Sequence, residues 1–424
     1  MKKIYFQIKI NSLIFVNYLF IAYAFLLPLS RNLSNIIFTA IIILFFIDGD
    51  IKNKLRFIIK DKVISAILIF IFMHIFWLLG TDDFLYAKDK LSEMKHFIAI
   101  IIIVTMVKKE FIFRIISAFI ISMLFSELVS YMIFFGFLEP INNATKENPV
   151  PFMLNHSLYS TFLALALGIL LYSLFKKDFK TSKLALFISL FFTITISFNI
   201  LIISSRLGYV LLFATIFSMT IIFYGKYLVR AILSTVMVVA IFYVTAYLNL
   251  DTFKERTHQA KNNIEKIITK KDFTTSEGIR AGFWFYSFDI LKENPLFGAG
   301  TGDHINYIKQ KIIESKYDKQ EPMLYILGAG KGAGLHADYL DIFVQFGLIG
   351  LLIFLNIFYQ IIIYKTENEH LKALQVILVV VMLVQAIPQG MVYLAPINKL
   401  FILLLALTLN LYQNKIDELK IGSR

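Results

Sequence analysis

The chain has 424 residues, 58% of them hydrophobic and only 17% charged, with a formal net charge of +13 and no cysteine. The apolar share lies in long unbroken runs such as 184–203 and 229–248, which excludes a water-soluble globule and suits helices crossing a hydrocarbon core about 30 Å thick. Without cysteine there are no disulfides, thiolate metal sites or cysteine nucleophiles. Most Lys and Arg stand in short clusters between apolar runs, so the positive charge reads as an orientation signal and not as a nucleic-acid surface.

The opening stretch MKKIYFQIKINSLIFVNYLF has a basic flank and an apolar run, with no small-residue cleavage site before Pro28, and reads as a retained first span. Apolar runs bounded by charge or proline then predict about twelve spans: 13–29, 33–48, 63–80, 96–107, 111–138, 157–175, 184–203, 207–224, 229–248, 338–364, 371–392 and 396–412. With the N-terminus inside, the cytoplasmic segments are both termini, 49–62, 108–110, 176–183, 225–228 and 365–370. These hold or flank 21 Lys and Arg, against 7 in the short segments on the other side. The positive-inside rule therefore places both termini in the cytoplasm and the large insertion, Asn249 to His336, on the outer face. In a bacterium with two membranes that face is the periplasm. The expectation is an all-α integral membrane protein in three parts: a transmembrane bundle of about nine spans over 1–248, a helical periplasmic loop over 249–336, and about three spans with a cytoplasmic tail over 337–424.

The insertion has structure of its own. Residues 254–271 are polar and helix-prone, and RAGFWFYSFDILKEN (280–294) carries aromatic and aliphatic residues at helical spacing until Pro295 ends the run. GAGTGD (298–303) marks a turn, and GAGKGAGL (328–335) a flexible approach to His336. Lys331 is followed by Gly332 and not by Ser or Thr, so the second stretch reads as a hinge and not a phosphate loop. On the same side, TDDFLYAKDKLSEMK (81–95) predicts an amphipathic surface helix. No internal repeat of fixed period is visible.

An enzyme acting on a lipid-linked substrate needs cations to hold phosphate and a titratable group to move a proton, all on one side of the bilayer. Arg206 at the outer end of the turn between two spans, Arg280 at the head of the aromatic helix, and His336 where the insertion re-enters the membrane meet that demand. Arg offers a planar, permanently ionised fork suited to a diphosphate, and His titrates near neutrality. Each has an ordinary structural reading beside this one: snorkelling anchor, solvated loop cation, helix cap. Glu127, in the middle of the fifth span, reads as a buried, hydrogen-bonded or protonated carboxyl, although a proton path is the functional alternative. His156 and Arg31 are second-rank candidates for lining a glycan or phosphate site. His304 beside Asp303 reads as a pair without partners. The offsets among His336, Asp338 and Asp341 do not align on one helical face, so no metal site and no cofactor are expected.

The stretches GIRAGFWFYSFDILKENPLFGAG (278–300) and LHADYLDIFVQFGLIGLLIFL (335–355) resemble the O-antigen ligase and polymerase family of bacterial membrane glycosyltransferases. The resemblance rests on an Arg-led helix ending in a Pro-Leu-hydrophobic-Gly-x-Gly turn, then a His-led span start with a Gly-x-x-Gly step. A third motif, Ser-Arg followed by a span, matches SSRLGYVLLF (204–213). Where the family commonly has His-Asn and, further on, Glu before the Gly, this chain has Ala337 after His336, and Gln345. The resemblance implies a GT-C-like enzyme of the bacterial inner membrane with its active site facing the periplasm. It would take glycan from an undecaprenyl diphosphate carrier without a metal, with Arg206 and Arg280 binding the diphosphate and His336 as base. The single large loop favours an O-antigen ligase, whose acceptor is the lipid A-core oligosaccharide, over a polymerase that joins lipid-linked repeat units. The reading from another class, a transporter of the lipid-linked glycan, would call for internal repeats and more ionisable residues at the bilayer midplane.

Overall fold

A computed structural model describes residues 2–409 apart from 142–143, 153–154, 179–181, 204, 250, 316–320, 329–333 and 367. The glycine-rich stretch around Lys331 therefore lies largely outside the described residues. Every extended regular element among those described is a helix: α1 (Lys2–Leu26), α2 (Arg31–Asp48), α3 (Ile51–Ile58), α4 (Lys62–Phe76), α5 (Phe84–Met106), α6 (Ile112–Phe134), α7 (His156–Lys176), α8 (Lys183–Ile202), α9 (Arg206–Tyr224), α10 (Leu228–Asn249), α11 (Asp251–Lys270), α12 (Ser276–Glu293), α13 (His304–Glu314), α14 (Glu321–Gly328), α15 (Asp338–Ile363), α16 (Glu369–Gln385) and α17 (Ala395–Leu409).

Each of the twelve apolar runs overlaps one of these helices, and eight helical stretches among the described residues are long and apolar enough to cross a membrane. Two further apolar helices, Ser12–Leu26 and α17, are shorter. With α17 the reason for the unbroken apolar sequence is burial by protein: Leu400 to Leu409 are all buried, and the helix packs against α5, α16 and α7. By contrast α10 leaves Val229, Leu233, Val236, Met237 and Ile241 exposed, an apolar outer surface of the kind lipid covers.

The stretch 81–95 departs from its expected role. It is not a separate surface helix but the first half of α5, capped by Asp83 accepting from the Leu85 and Tyr86 N–H groups. Its Tyr86, Lys90 and Met94, one turn apart, are buried. The helices of the insertion pack on this face of α5. Phe283, Tyr286 and Ile290 of α12, Ile305, Ile308 and Ile312 of α13, and Met323 and Leu327 of α14 form a core that also takes in Tyr86 of α5 and Leu340 and Val344 of α15.

The Gly-x-Gly turn after α12 and the Gly-x-x-Gly step of α15 are the halves of one junction. Gly347, inside α15, has φ 63° and ψ −162°, which breaks the helix there. A break at that point leaves the carbonyls of Val344 and Gln345 and the N–H groups of Leu348 and Ile349 without intrahelical partners. The turn after α12 supplies all four: Ala299 N donates to Val344 O and Gly300 N to Gln345 O, both at 2.9 Å, while Leu348 N donates to Pro295 O at 2.9 Å and Ile349 N to Leu296 O at 3.3 Å. Backbone meets backbone so closely that a Cβ on Gly347 would lie 2.2 Å from Leu296 C, and one on Gly298 (φ 69°) would lie 2.5 Å from Gln345 C. Gly347→Ala is therefore expected to cost roughly 3–4 kcal/mol from strain and overlap. Gly80→Ala, at a position with nothing within 4 Å, serves as a near-neutral control. Melting temperatures of the detergent-purified variants check this.

Candidate active site

The backbone junction fixes where the next side chains stand. α12 begins at a Thr275 cap whose hydroxyl accepts from Gly278 N at 3.1 Å, placing Glu277 on its first turn and Arg280 just beyond it. Arg206 opens α9 behind the Ser205 cap, and its Nη1 forms an ion pair with Glu277 Oε1. Glu277 Oε2 accepts in turn from Asn263 Nδ2 of α11 at 2.8 Å. The Arg280 guanidinium is held along two edges: Nε donates to Pro388 O at 2.8 Å, and Nη1 to both the carbonyl and the hydroxyl of Ser276 at 2.9 Å. Burial draws its pKa below the usual arginine value, yet the group stays ionised at any ordinary pH.

Pro388 belongs to the segment between α16 and α17, and Asp338 pins that segment. Its carboxylate accepts from the N–H groups of Met391 at 2.5 Å and Val392 at 3.1 Å, and its own N–H donates to Ala386 O at 3.0 Å. His336, two residues earlier, is half-buried with a φ of 52°, a left-handed conformation uncommon outside glycine. Burial first and the Arg280 guanidinium second hold its imidazole pKa below the ordinary histidine value. The structure thus places His336 within reach of the Arg280 charge and links Arg206 to the same helical turn through Glu277.

The strained backbone at His336 is anchored from beneath. Leu335 N donates to Asp341 Oδ2 at 3.3 Å, and Asp341 N donates to Ala337 O at 2.8 Å. Asp341 is the centre of a buried network: Lys90 Nζ lies 3.2 Å from both carboxylate oxygens, His304 Nε2 lies 2.6 Å from Oδ1, and Gln345 Nε2 donates to Oδ1 at 3.1 Å. Gln345 also donates to the Tyr393 hydroxyl at 3.2 Å and accepts from Gly302 N at 3.1 Å. Tyr393 reaches His74 Nε2 at 2.8 Å and stacks its ring under Lys90, whose Nζ is 4.1 Å from the centroid. An amide at 345 suits this place, because its N–H groups face a carboxylate that a Glu would repel. Burial pushes the His304 pKa down, against the opposing pull of Asp341.

One reading of the sequence needs correction here. His304 and Asp303 are not a pair without partners: His304 sits on Asp341, and Asp303 accepts from the Asp82 and Asp83 N–H groups at 3.1 and 2.8 Å. Glu127 is buried on α6, as expected, with the Thr195 hydroxyl of α8 beside its carboxyl group. His156 and Arg31 are the exposed first residues of α7 and α2, with Arg31 close to Lys399 and Lys95. Sequence reasoning missed Glu277 and the Lys90–Asp341 network. The spacing of Tyr86, Lys90 and Met94 was the one available signal for Lys90, since a cation on the apolar stripe of an amphipathic helix needs a buried partner. Asp341→Asn strands the Lys90 ammonium in a pocket where it is 4% exposed, and is expected to cost roughly 3–5 kcal/mol. A double-mutant cycle with Lys90→Met, followed by thermal unfolding, should return a coupling of about 1–3 kcal/mol.

Residues 190–355, which include Arg206, Arg280, His336 and both glycine motifs, match the family model described as O-Antigen ligase. Over 370 residues the chain is 24% identical to an uncharacterized protein of Haemophilus influenzae, covering 84% of this chain and 86% of that protein. Both the family match and the apolar helices support a multi-pass membrane protein with an O-antigen ligase-type region.

Proposed function

We propose that this chain is an O-antigen ligase of the bacterial inner membrane, moving glycan from undecaprenyl diphosphate to the lipid A-core oligosaccharide on the periplasmic face. The observation that carries the reading is the linkage of two arginines and a histidine around the start of α12: Arg206 ion-paired with Glu277, Arg280 three residues further along the same helix, and His336 close enough to feel the Arg280 charge. The family match over the same residues supports it.

In this reading the acceptor hydroxyl oxygen attacks the anomeric carbon of the carrier-linked sugar, and its proton passes to the neutral His336 imidazole. The bond from that carbon to the diphosphate oxygen breaks with the electron pair leaving on the diphosphate. Negative charge then grows beside Arg206 and Arg280, which are already oriented by Glu277, Ser276 and Pro388. Cations fixed before the reaction stabilise the leaving group without reorganising during it. No step calls for a metal. The acceptor distinguishes ligase from polymerase, and the single Arg-led insertion favours the ligase.

Arg280→Ala is expected to abolish transfer while the protein still inserts, and Arg280→Lys to restore little, because a point charge replaces the fork. Lipopolysaccharide gels of a deletion strain carrying each variant, with a blot for carrier-linked glycan, read this out. Polymer held on the carrier over a bare core supports the ligase. Single repeat units on the core mean a polymerase, and wild-type gels for both Arg280→Ala and His336→Ala remove the site. The pH profile gives a separate check. A base whose pKa is lowered stays unprotonated as pH falls past the usual histidine value, so the acid limb of kcat/KM should lie below about 6.5.

A further inference from the structure

α6 and α8 meet at one end and separate at the other. Near the end that carries Arg206 they are joined, with the Tyr131 hydroxyl donating to Thr195 O at 2.7 Å and Asn199 Nδ2 to Ser130 Oγ at 2.9 Å. Towards the opposite end, which the positive-inside rule assigns to the cytoplasm, a cavity of about 800 Å³ lies between them, with α7 and α16 contributing the remaining walls. Residues 113, 116, 117, 120, 121 and 124 of α6 line it, a spacing of three and four that turns one face of the helix towards the space. Ile121 of α6 and Ile188 of α8 also line it while being 56% and 41% exposed, so the cavity opens sideways onto the apolar outer surface of the bundle.

The lining changes character along its length. Leu124, Ile169, Phe192 and Ile377 form the deep part, whereas Asp178, Asn368 and His370 stand together at the mouth, with His370 Nε2 2.9 Å from Asp178 Oδ2. The acids there are answered, Asp178 by His370 and Glu369 by Lys176. Arg114, one turn before Ser117 on α6, and Lys177, next to Asp178, are exposed and belong to no ion pair among the described residues. The mouth thus carries a surplus of positive charge above an apolar interior. From Phe113 to Leu124 the lining runs roughly 16 Å at 1.5 Å per residue, about half of a hydrocarbon core some 30 Å thick and so the depth of one leaflet. A further helix of about 10 Å diameter would need roughly 1,200 Å³ over that depth, whereas the volume present suits a single small molecule.

We propose that this cavity binds one anionic phospholipid of the adjoining leaflet, with an acyl chain between α6 and α8 and the phosphate at the mouth beside Arg114 and Lys177. Chain and headgroup then keep the depths they have in the bilayer, so the lipid enters sideways without crossing a polar barrier. Basic groups at the mouth of an interhelical pocket on the cytoplasmic side favour an anionic headgroup over a zwitterionic one. The carrier lipid of the proposed reaction is not the occupant, because its diphosphate would stand at the other end of the bundle, beside Arg206 and Arg280. A bound lipid fills the gap that α6 and α8 leave and holds them against α7 and α16. It does not depend on the proposed reaction.

The test is native mass spectrometry of the full-length protein released from detergent after titration with phosphatidylglycerol, or with phosphatidylcholine of the same chains. One phosphatidylglycerol should be retained per chain, saturably, with phosphatidylcholine held at least roughly fivefold more weakly. The double variant Arg114→Gln, Lys177→Asn should weaken phosphatidylglycerol about fivefold per cation removed and erase the preference; asparagine tolerates the left-handed backbone at 177, where φ is 61°. Ser189→Trp, which fills the cavity from α8, should lower retention of both lipids. Absence of saturable retention by the wild type, or equal retention of the two lipids, would overturn the proposal. Undiminished preference in the double variant would overturn it too, even should Ser189→Trp fail to fold.

Discussion

A lysine and an aspartate, 4% and 6% exposed, hold three parts of this protein in register. Lys90 comes from α5, Asp341 from the first turn of α15, and His304 and Gly302, from the turn after α12 and the start of α13, close on the same cluster. Two charges withdrawn from water keep their ionised forms only while they keep each other and their hydrogen bonds. The geometry of the neighbouring backbone is thereby over-determined. Leu335 and Ala337, on either side of His336, are each bonded to Asp341, so the left-handed backbone between them has little freedom to relax.

The second constraint is made of backbone alone. Gly347 interrupts α15, and the turn at 295–300 takes up the four groups that the interruption frees. Because α12 leads directly into that turn, backbone hydrogen bonds between the 295–300 turn and α15 tie the end of α12 to the helix that follows His336. Binding a polyanionic substrate rewards such an arrangement, since cations that need no rearrangement lose least of their attraction to ordering costs. A buried polar network on one side and a glycine junction on the other provide that rigidity.

Much of this was legible in the sequence, and the rest was not for identifiable reasons. Apolar runs located twelve of the helices but not α3, which falls in the segment 49–62, and although α17 is apolar because protein surrounds it, run length alone does not separate that case from lipid exposure. Arg206, Arg280 and His336 stood out because the positive-inside rule puts all three on one side and because they lead the motifs that resemble the family's. Glu277 was invisible, since a Glu on the first turn of a helix is commonplace and its partner lies 71 positions away. Asp341 was set aside because its spacing to His336 and Asp338 fits no single face. In the structure the three serve different partners: Asp338 holds the 386–392 segment, Asp341 holds Lys90, and His336 feels the Arg280 charge. Sequence spacing reports what one helix can present, whereas this network is assembled from α4, α5, α15 and the segments flanking α12 and α16.

The central claim is that Arg206 and Arg280 hold a diphosphate. Its most direct test is equilibrium binding of undecaprenyl diphosphate to the purified protein and to the Arg206→Ala and Arg280→Ala variants. Loss of a charge-assisted contact should weaken binding roughly tenfold or more in each variant. Unchanged affinity in both would contradict the assignment.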